Sequence, residues 1–499
     1  MKKSTMLYIN VVAVMVVLAM VTPAFGLEMP LDDSAGSKRG PVYDTMWFDQ
    51  ILDHFEFTVE ASMTFKQRYL VSTKHFNASR PAIFFYTGNE GPITGFAGNL
   101  GQIWENAADL GAAVIFAEHR YYGETLPFGE ATFNTTENLR WLTSEQALSD
   151  YVLLIAALKD PASSHYLGQG AENAAVITFG GSYGGLLSAY IRIKYPGVVA
   201  GAVASSAPIW LFPETQPAGG FLGWVTKTFT AQCPQSIKPI RSTWETMLQM
   251  AATPTGLKQL SSTFSLCQPL SSLAQMEAGL WMRIEAALIY LAMADYPYPV
   301  DYFGPLPGNP VETVCPFFDG VGTGDDAVEA LASAVALFYN YTGEGGECFA
   351  LSATPGDFSL NQMRAWNYQF CTEMTLAELG SNGVTDFFYP APLDLKAFAA
   401  ACAQLYPGIV TRPDWVSATY TSKPLRGASN IVFANGLLDP CTSGSPMVDQ
   451  GPSVVALNIA DAAHHFDLFG SNPADPQSVI DARIEEREYI VQWIAEWLA

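Results

Sequence analysis

The segment Gly180-Gly181-Ser182-Tyr183-Gly184-Gly185 sets a serine among glycines in the pattern G-x-S-x-G. A serine hydroxyl is a weak nucleophile until a sharp turn presents it and a neighbouring base takes its proton. Glycines around such a turn leave room for the adjoining strand and helix, which side chains would fill. The chemistry is acyl transfer: the serine attacks a carbonyl and backbone N–H groups hold the oxyanion that forms. The pattern is short, so its surroundings decide. Ala174–Phe179 before it reads as a buried strand, and Leu186, Leu187, Ala189, Tyr190 and Ile193 after it read as a helix.

The serine needs a base, and the base needs a carboxylate to fix its tautomer. Of six histidines, His54, His75, His119 and His165 precede Ser182, and only His464 and His465 follow it. On strand–elbow–helix scaffolds the chain order is serine, acid, histidine. Asp439, in Asn435–Pro440 directly after the strand-like run Asn430–Ala434, fits as the acid. Asp449, Asp461 and Asp467 compete with it, and a plain turn Asp before Pro440 would look the same. Spacing does not choose between the two histidines. The oxyanion donors expected are the Tyr183 N–H and an amide of Thr87-Gly88-Asn89-Glu90-Gly91, where Gly88 permits a donor-facing backbone. His119-Arg120-Tyr121-Tyr122-Gly123 either borders the site or buries a His119–Glu118 pair. No Cys/His spacing suggests a metal site, and the reaction calls for no metal or cofactor.

These residues need a sheet to hold them. Ala82–Tyr86, Ala112–Ala117, Ala174–Phe179 and Val198–Ala204 are continuous apolar runs separated by helical patterns, which indicates a mostly parallel sheet covered on both faces. Thr143 and Gln146 form a capping-box pattern before Leu148, Tyr151, Val152, Ile155 and Leu158. After Ser206-Ala207-Pro208 the pattern turns to long helices and Pro-rich connections. Strand-like runs return at Asn430–Ala434 and Ser453–Leu457. A final helix is expected from Asp475-Pro476, presenting Ile480, Ile484, Val491, Ile494 and Leu498. The reading is an α/β-hydrolase fold in two parts, 27–210 and 426–499, interrupted by a helical, disulfide-bearing cap at 211–425.

The chain has 499 residues, is 49% hydrophobic, and carries 25 Lys+Arg against 48 Asp+Glu. A net charge of −23 with no basic stripe excludes nucleic acid as a partner. Lys2, Lys3, the apolar run Met6–Val21 and Ala24-Phe25-Gly26 read as a signal peptide over 1–26, and no later segment reads as a membrane span. N-glycosylation sequons stand at Asn77, Asn134 and Asn340. All seven cysteines follow residue 232, and in an oxidising compartment six would pair. The acidic composition suits an acidic lumen such as a lysosome or vacuole, or secretion.

The sequence resembles the serine exopeptidase family of lysosomal Pro-X carboxypeptidase and dipeptidyl peptidase II. The resemblance runs from about Phe48 to the C-terminus through Phe48–Phe55, Phe84–Pro92, Phe116–Gly129, Phe179–Pro196, Asn435–Pro440 and Ala462–Leu468. It implies Ser182 as nucleophile, Asp439 as orienting acid and His464 as base, acting on short peptides. It also implies the pairs Cys233–Cys315, Cys267–Cys348 and Cys371–Cys402, with Cys441 left over, and it raises a homodimer for which no interface is legible. Met293–Val311 and Arg364–Glu373 look closer to the dipeptidyl branch, which implies release of N-terminal dipeptides with Pro or Ala second. Two departures weaken that. Asn367 stands where dipeptidyl relatives place an Asp that pairs with the substrate's amine, and Cys441 replaces a Trp that walls the proline pocket. The alternatives are a Pro-X carboxypeptidase, an esterase or lipase on the same scaffold, and a catalytically silent binding protein.

Overall fold

The computed structural model describes residues 40–499 apart from 59–62, 217–218, 352–359, 377–379 and 421–422. The expected signal peptide, 1–26, lies outside the described residues. Eight strands, β1 (Asp44–Ile51), β2 (Thr64–Ser72), β3 (Ala82–Thr87), β4 (Ala112–Ala117), β5 (Ala175–Gly181), β6 (Gly201–Ser205), β7 (Ile431–Gly436) and β8 (Val454–Ile459), form one sheet. Their order is β1-β2-β4-β3-β5-β6-β7-β8. β2 runs antiparallel to both neighbours, and from β4 to β8 every pairing is parallel. This is the α/β-hydrolase fold.

The apolar runs became the central strands because both sheet faces are covered: β3, β4, β5, β6 and β7 are buried at every position. The sequence reading missed β1 and β2. β1 is an edge strand of mixed polarity, DTMWFDQI, exposed at most positions, so no continuous apolar run marks it. The chain direction across the sheet reverses at β3, which lies between β4 and β5. The loops leaving the C-terminal ends of β3 and β5 therefore face each other, and a crevice at such a switch point is where open α/β sheets bind ligands.

Helices follow the expected signals with one exception. Ser144–Lys159 is capped by Thr143, whose hydroxyl accepts from the Gln146 N–H. The terminal helix, Gln477–Leu498, starts after Pro476 instead of being capped by Asp475, whose carboxylate accepts from Arg483 at 2.6 Å. Its buried face is Val479, Ala482, Arg483, Glu486, Ile490, Trp493 and Ile494, while Ile480 and Ile484 are exposed. Of the expected stripe Ile494 is buried, while Ile480, Ile484 and Leu498 are exposed because two charged residues, Arg483 and Glu486, take the buried face. Arg483 is satisfied there by the Asp467 and Phe466 carbonyls and by Asp475.

Between β6 and β7 the chain builds helices including Gly220–Gln232, Met282–Met293, Asp325–Asn340 and Leu360–Thr372. Three disulfides, Cys233–Cys315, Cys267–Cys348 and Cys371–Cys402, lie in this segment. These are the pairs that the resemblance implied. Cys441 is in no disulfide. The sequon residues Asn77, Asn134 and Asn340 are all exposed. Among the described residues no helix is long and apolar enough to cross a membrane.

Several carboxyls are buried in the finished fold. Burial pushes Glu90, Asp295 and Glu373 up to about 7 and Asp467 up to about 6. A group held above its unfolded value stabilises the fold most below that value, and the contribution is lost as pH rises through the folded one. Buried His119, pushed down to about 4, and His465, pushed well down, act oppositely below their usual range. The raised carboxyls, with Glu285 and Glu486 among them, outweigh the two imidazoles between neutral and mildly acid pH. The midpoint of thermal unfolding, followed by circular dichroism, is therefore expected to be higher at pH 5.5 than at pH 8; a midpoint that rises toward pH 8 would contradict this.

Candidate active site

The turn from β5 into the helix Tyr183–Lys194 places Ser182 at φ 58° and ψ −126°, a left-handed conformation that a side chain rarely adopts. The flanking glycines permit the close packing that holds it. A Cβ on Gly181 would stand 2.7 Å from the His465 ring, and one on Gly185 would stand 2.6 Å from the Ser205 carbonyl. The backbone is further pinned by Ser182 N–H to the Ser205 carbonyl at 3.0 Å. Ser182 is half-buried while its two neighbours are buried. The Tyr183 N–H, at the helix start, has no hydrogen-bond partner among the described residues, so it is available to an oxyanion.

Asp439 follows β7 and His464 follows β8. The His464 Nδ1 lies 3.0 Å from the Asp439 Oδ2, and both side chains are buried. The other Asp439 oxygen accepts from the Cys441 N–H at 3.1 Å. The competitors are spent elsewhere: Asp449 on the Ala456 N–H, Asp461 on Ser478, and Asp467 on the Ser205 hydroxyl at 2.5 Å. Among the described residues His465 makes no hydrogen bond to a carboxylate. Its Nε2 meets the Tyr302 hydroxyl at 3.0 Å, and its ring is kept neutral by burial and by the adjacent His464. The structure thus joins Asp439 to His464. It shows no hydrogen bond between Ser182 and His464, a contact that in unliganded sites commonly tightens only with substrate.

Much of this pair is held by the helical segment rather than by the sheet. The His464 N–H donates to the Met293 carbonyl, and the Tyr296 hydroxyl donates to the His464 carbonyl. Trp224 and Thr228 donate to the carbonyls of Leu437 and Leu438, just before Asp439. The helix Leu360–Thr372 covers the elbow, its Gln369 donating to the Tyr183 hydroxyl at 2.8 Å and accepting from Tyr122 at 2.6 Å. Trp366 packs on the Tyr183 ring, with centroids 5.3 Å apart. Asn367 lies on this same helix, half-buried, with its Oδ1 buried and without a partner among the described residues.

Two expectations are corrected. The Gly88 N–H does not point to an oxyanion: it donates to the Ala117 carbonyl at 3.1 Å, extending the parallel pairing of β3 with β4 by one residue. The next amide, that of Asn89, has no partner among the described residues and is the free donor of this loop. Nor do His119 and Glu118 pair. Glu118 binds Arg68 and Thr125, while His119 borders the elbow through the Tyr183 hydroxyl at 3.1 Å. Sequence reasoning also passed over Gln369 and Glu90; Glu90 carried one signal, as the sole charged residue in the Thr87–Gly91 loop.

The Cys441 sulfur, a carboxylate oxygen of Asp439 and a ring nitrogen of His464 lie within 4.8 Å of one another. A soft cation held there would take up the groups that serve the serine. The arrangement otherwise supplies a half-buried serine hydroxyl, an oriented imidazole and two N–H donors, which are the parts of acyl transfer.

The model of the family described as serine carboxypeptidase S28 matches residues 50–485. The chain is 39% identical to lysosomal Pro-X carboxypeptidase of Pongo abelii over 472 residues, covering 94% of this chain and 92% of that one. It is likewise 39% identical to lysosomal Pro-X carboxypeptidase of Homo sapiens, with the same coverage. Prolyl carboxy peptidase like protein 5 of Caenorhabditis elegans is 36% identical over 471 residues, covering 91% and 90%. Among solved structures the chain is similar to proline iminopeptidase of Mycobacterium smegmatis at 13% identity and a TM-score of 0.34, covering 87% of this chain and 95% of that one.

The geometry separates the two histidines. His464→Ala is expected to lower kcat by about 10⁴-fold or more, as loss of a triad base does, and His465→Ala by much less. Steady-state turnover of both variants, with circular dichroism to confirm folding, checks the order; a larger loss at His465 would reverse the assignment.

Proposed function

The chain belongs to the serine carboxypeptidase S28 family and is a serine-type peptidase, and from that premise we propose that it removes the C-terminal residue following a proline. Ser182 attacks the carbonyl of the last peptide bond while His464 takes its proton and passes it to the leaving amine. Asp439 holds the imidazole in the tautomer that leaves its other nitrogen facing the serine. The oxyanion is bound by the N–H groups of Tyr183 and Asn89. Water, activated by the same histidine, then frees the acyl group.

The observation that carries this reading is the Asp439–His464 pair beside the Ser182 elbow, in a chain 39% identical to Pro-X carboxypeptidases over nearly its whole length. The expectation of dipeptide release rested on Met293–Val311 and Arg364–Glu373, and it gives way here. Asn367 is neutral, so it offers a substrate ammonium no ion pair, and an N-terminus would gain little from binding beside it. The proline pocket, with Cys441 where a Trp would stand, is wider, and residues other than proline are expected to be accepted at reduced rate.

The helices between β6 and β7 supply the groups that surround the elbow, which restricts entry to short peptides or chain ends. We assign this segment, 211–425, as the cap of a hydrolase domain formed by 27–210 and 426–499. The place of action we propose is a lysosome or similar acidic compartment reached through the secretory pathway, with glycans on Asn77, Asn134 and Asn340.

Two matched peptides test the function, one with a free N-terminus and the other N-blocked with a free C-terminus, each with proline next to the end. Loss of the C-terminal residue from the blocked peptide is expected, and Ser182→Ala is expected to abolish it. Release of an N-terminal dipeptide from the unblocked peptide alone, read by mass spectrometry, would return the enzyme to the dipeptidyl branch.

A further inference from the structure

A carboxypeptidase must recognise a free carboxylate, and the buried cations near this site are already engaged. Arg68 is bound to Glu118 and Glu124, Arg120 to Asp150, and Arg483 to Asp475 and two carbonyls. What the β3 loop offers instead is Glu90, one residue beyond the Asn89 amide. Glu90 is only 5% exposed, forms no ion pair among the described residues, and leaves its Oε2 without a hydrogen-bond partner. A buried carboxyl oxygen left unpartnered is costly, and such a group commonly marks a place that a ligand completes.

Its surroundings fix what that ligand is. The loop that carries Glu90 lies against the elbow, since a Cβ on Gly184 would stand 3.2 Å from the Asn89 Oδ1, and His464, on the loop after β8, is the charge that acts on Glu90. The other titratable groups that sense it are Tyr86 on β3, Tyr122 after β4 and Tyr302 from the helical segment, all kept protonated by burial. The Asn89 side chain also hydrogen-bonds to it. Among the described residues no Lys or Arg acts on it.

We propose that Glu90 is the specificity residue that receives the substrate's C-terminal carboxylate, donating its own proton into an O–H···O hydrogen bond. This rests on the carboxypeptidase reading and names the group that reads the free terminus. Burial, which pushes Glu90 up to about 7, keeps the proton in place in an acidic compartment. Above neutrality Glu90 ionises and repels the carboxylate it would otherwise bind. A charge-assisted hydrogen bond of this type is short and strong, and it requires no cation.

The test compares an N-blocked peptide ending in Pro-X with the same peptide carrying a C-terminal amide, measuring kcat/KM for each from pH 4.5 to 8. The ratio of acid to amide cancels every pH dependence that the two substrates share. In the wild type the ratio is expected to be about 10- to 100-fold at pH 5, the size of one hydrogen bond to a charged group, and to collapse above pH 7. Glu90→Gln, whose N–H donor does not titrate, is expected to keep the preference to pH 8, and Glu90→Ala to lose it throughout. A wild-type ratio that stays flat with pH, or equal losses on acid and amide in both variants, would overturn the role of Glu90 while leaving the carboxypeptidase reading intact. No release of X from either blocked peptide, with dipeptide release from an unblocked one, would overturn both. Fluorophosphonate labelling of Ser182 confirms that each variant is folded, and the wild-type ratio decides alone if a variant does not fold.

Discussion

The constraint on which this structure depends is the backbone of Ser182. Holding a non-glycine residue at positive φ costs about 1–3 kcal/mol, and it persists only where the surroundings leave no alternative. Here β5 enters the turn, the helix Tyr183–Lys194 leaves it, and β6 and the His465 ring close on the space beside Gly185 and Gly181. The two unpartnered N–H groups, the reversal of chain direction at β3 and the histidine loop after β8 all converge on that one residue. A side chain at either glycine would move the elbow away from the groups that serve it.

The sheet and the helical segment divide the work. The sheet presents the elbow and the β3 loop, while residues of the segment between β6 and β7 grip the backbone on both sides of the Asp439–His464 pair. Met293 and Tyr296 hold His464, Tyr302 holds His465, and Trp224 and Thr228 hold the approach to Asp439. The segment between β6 and β7 therefore helps to position the Asp439–His464 pair. Its three disulfides fix a segment whose small displacements would reach the imidazole directly.

How far the sequence could be read follows the same physics. Central strands were legible because burial on two faces writes a continuous apolar run, as in β4, and the elbow was legible because its glycines are obligatory. The edge strand β1 was not, since one-sided exposure dilutes the pattern. The terminal helix was read with Ile480 and Ile484 on its buried face, which Arg483 and Glu486 share with Ile494 instead, Arg483 being satisfied there by the preceding loop. Gly88 was chosen over Asn89 because composition shows which residue can turn but not which N–H the neighbouring strand has already taken. His464 and His465 are adjacent and identical in type, and only the three-dimensional position of Asp439 tells them apart.

The central claim is that Ser182 carries the acyl part of the substrate and that this part is the N-terminal portion of the peptide. Rapid acid quench of the enzyme with an N-blocked Pro-X substrate, followed by peptide mapping in a mass spectrometer, reads both points at once. The account requires a mass on the peptide containing Ser182 equal to the blocked acyl fragment ending in proline, absent from Ser182→Ala. An adduct on another residue, or one consisting of an N-terminal dipeptide from an unblocked substrate only, would contradict it.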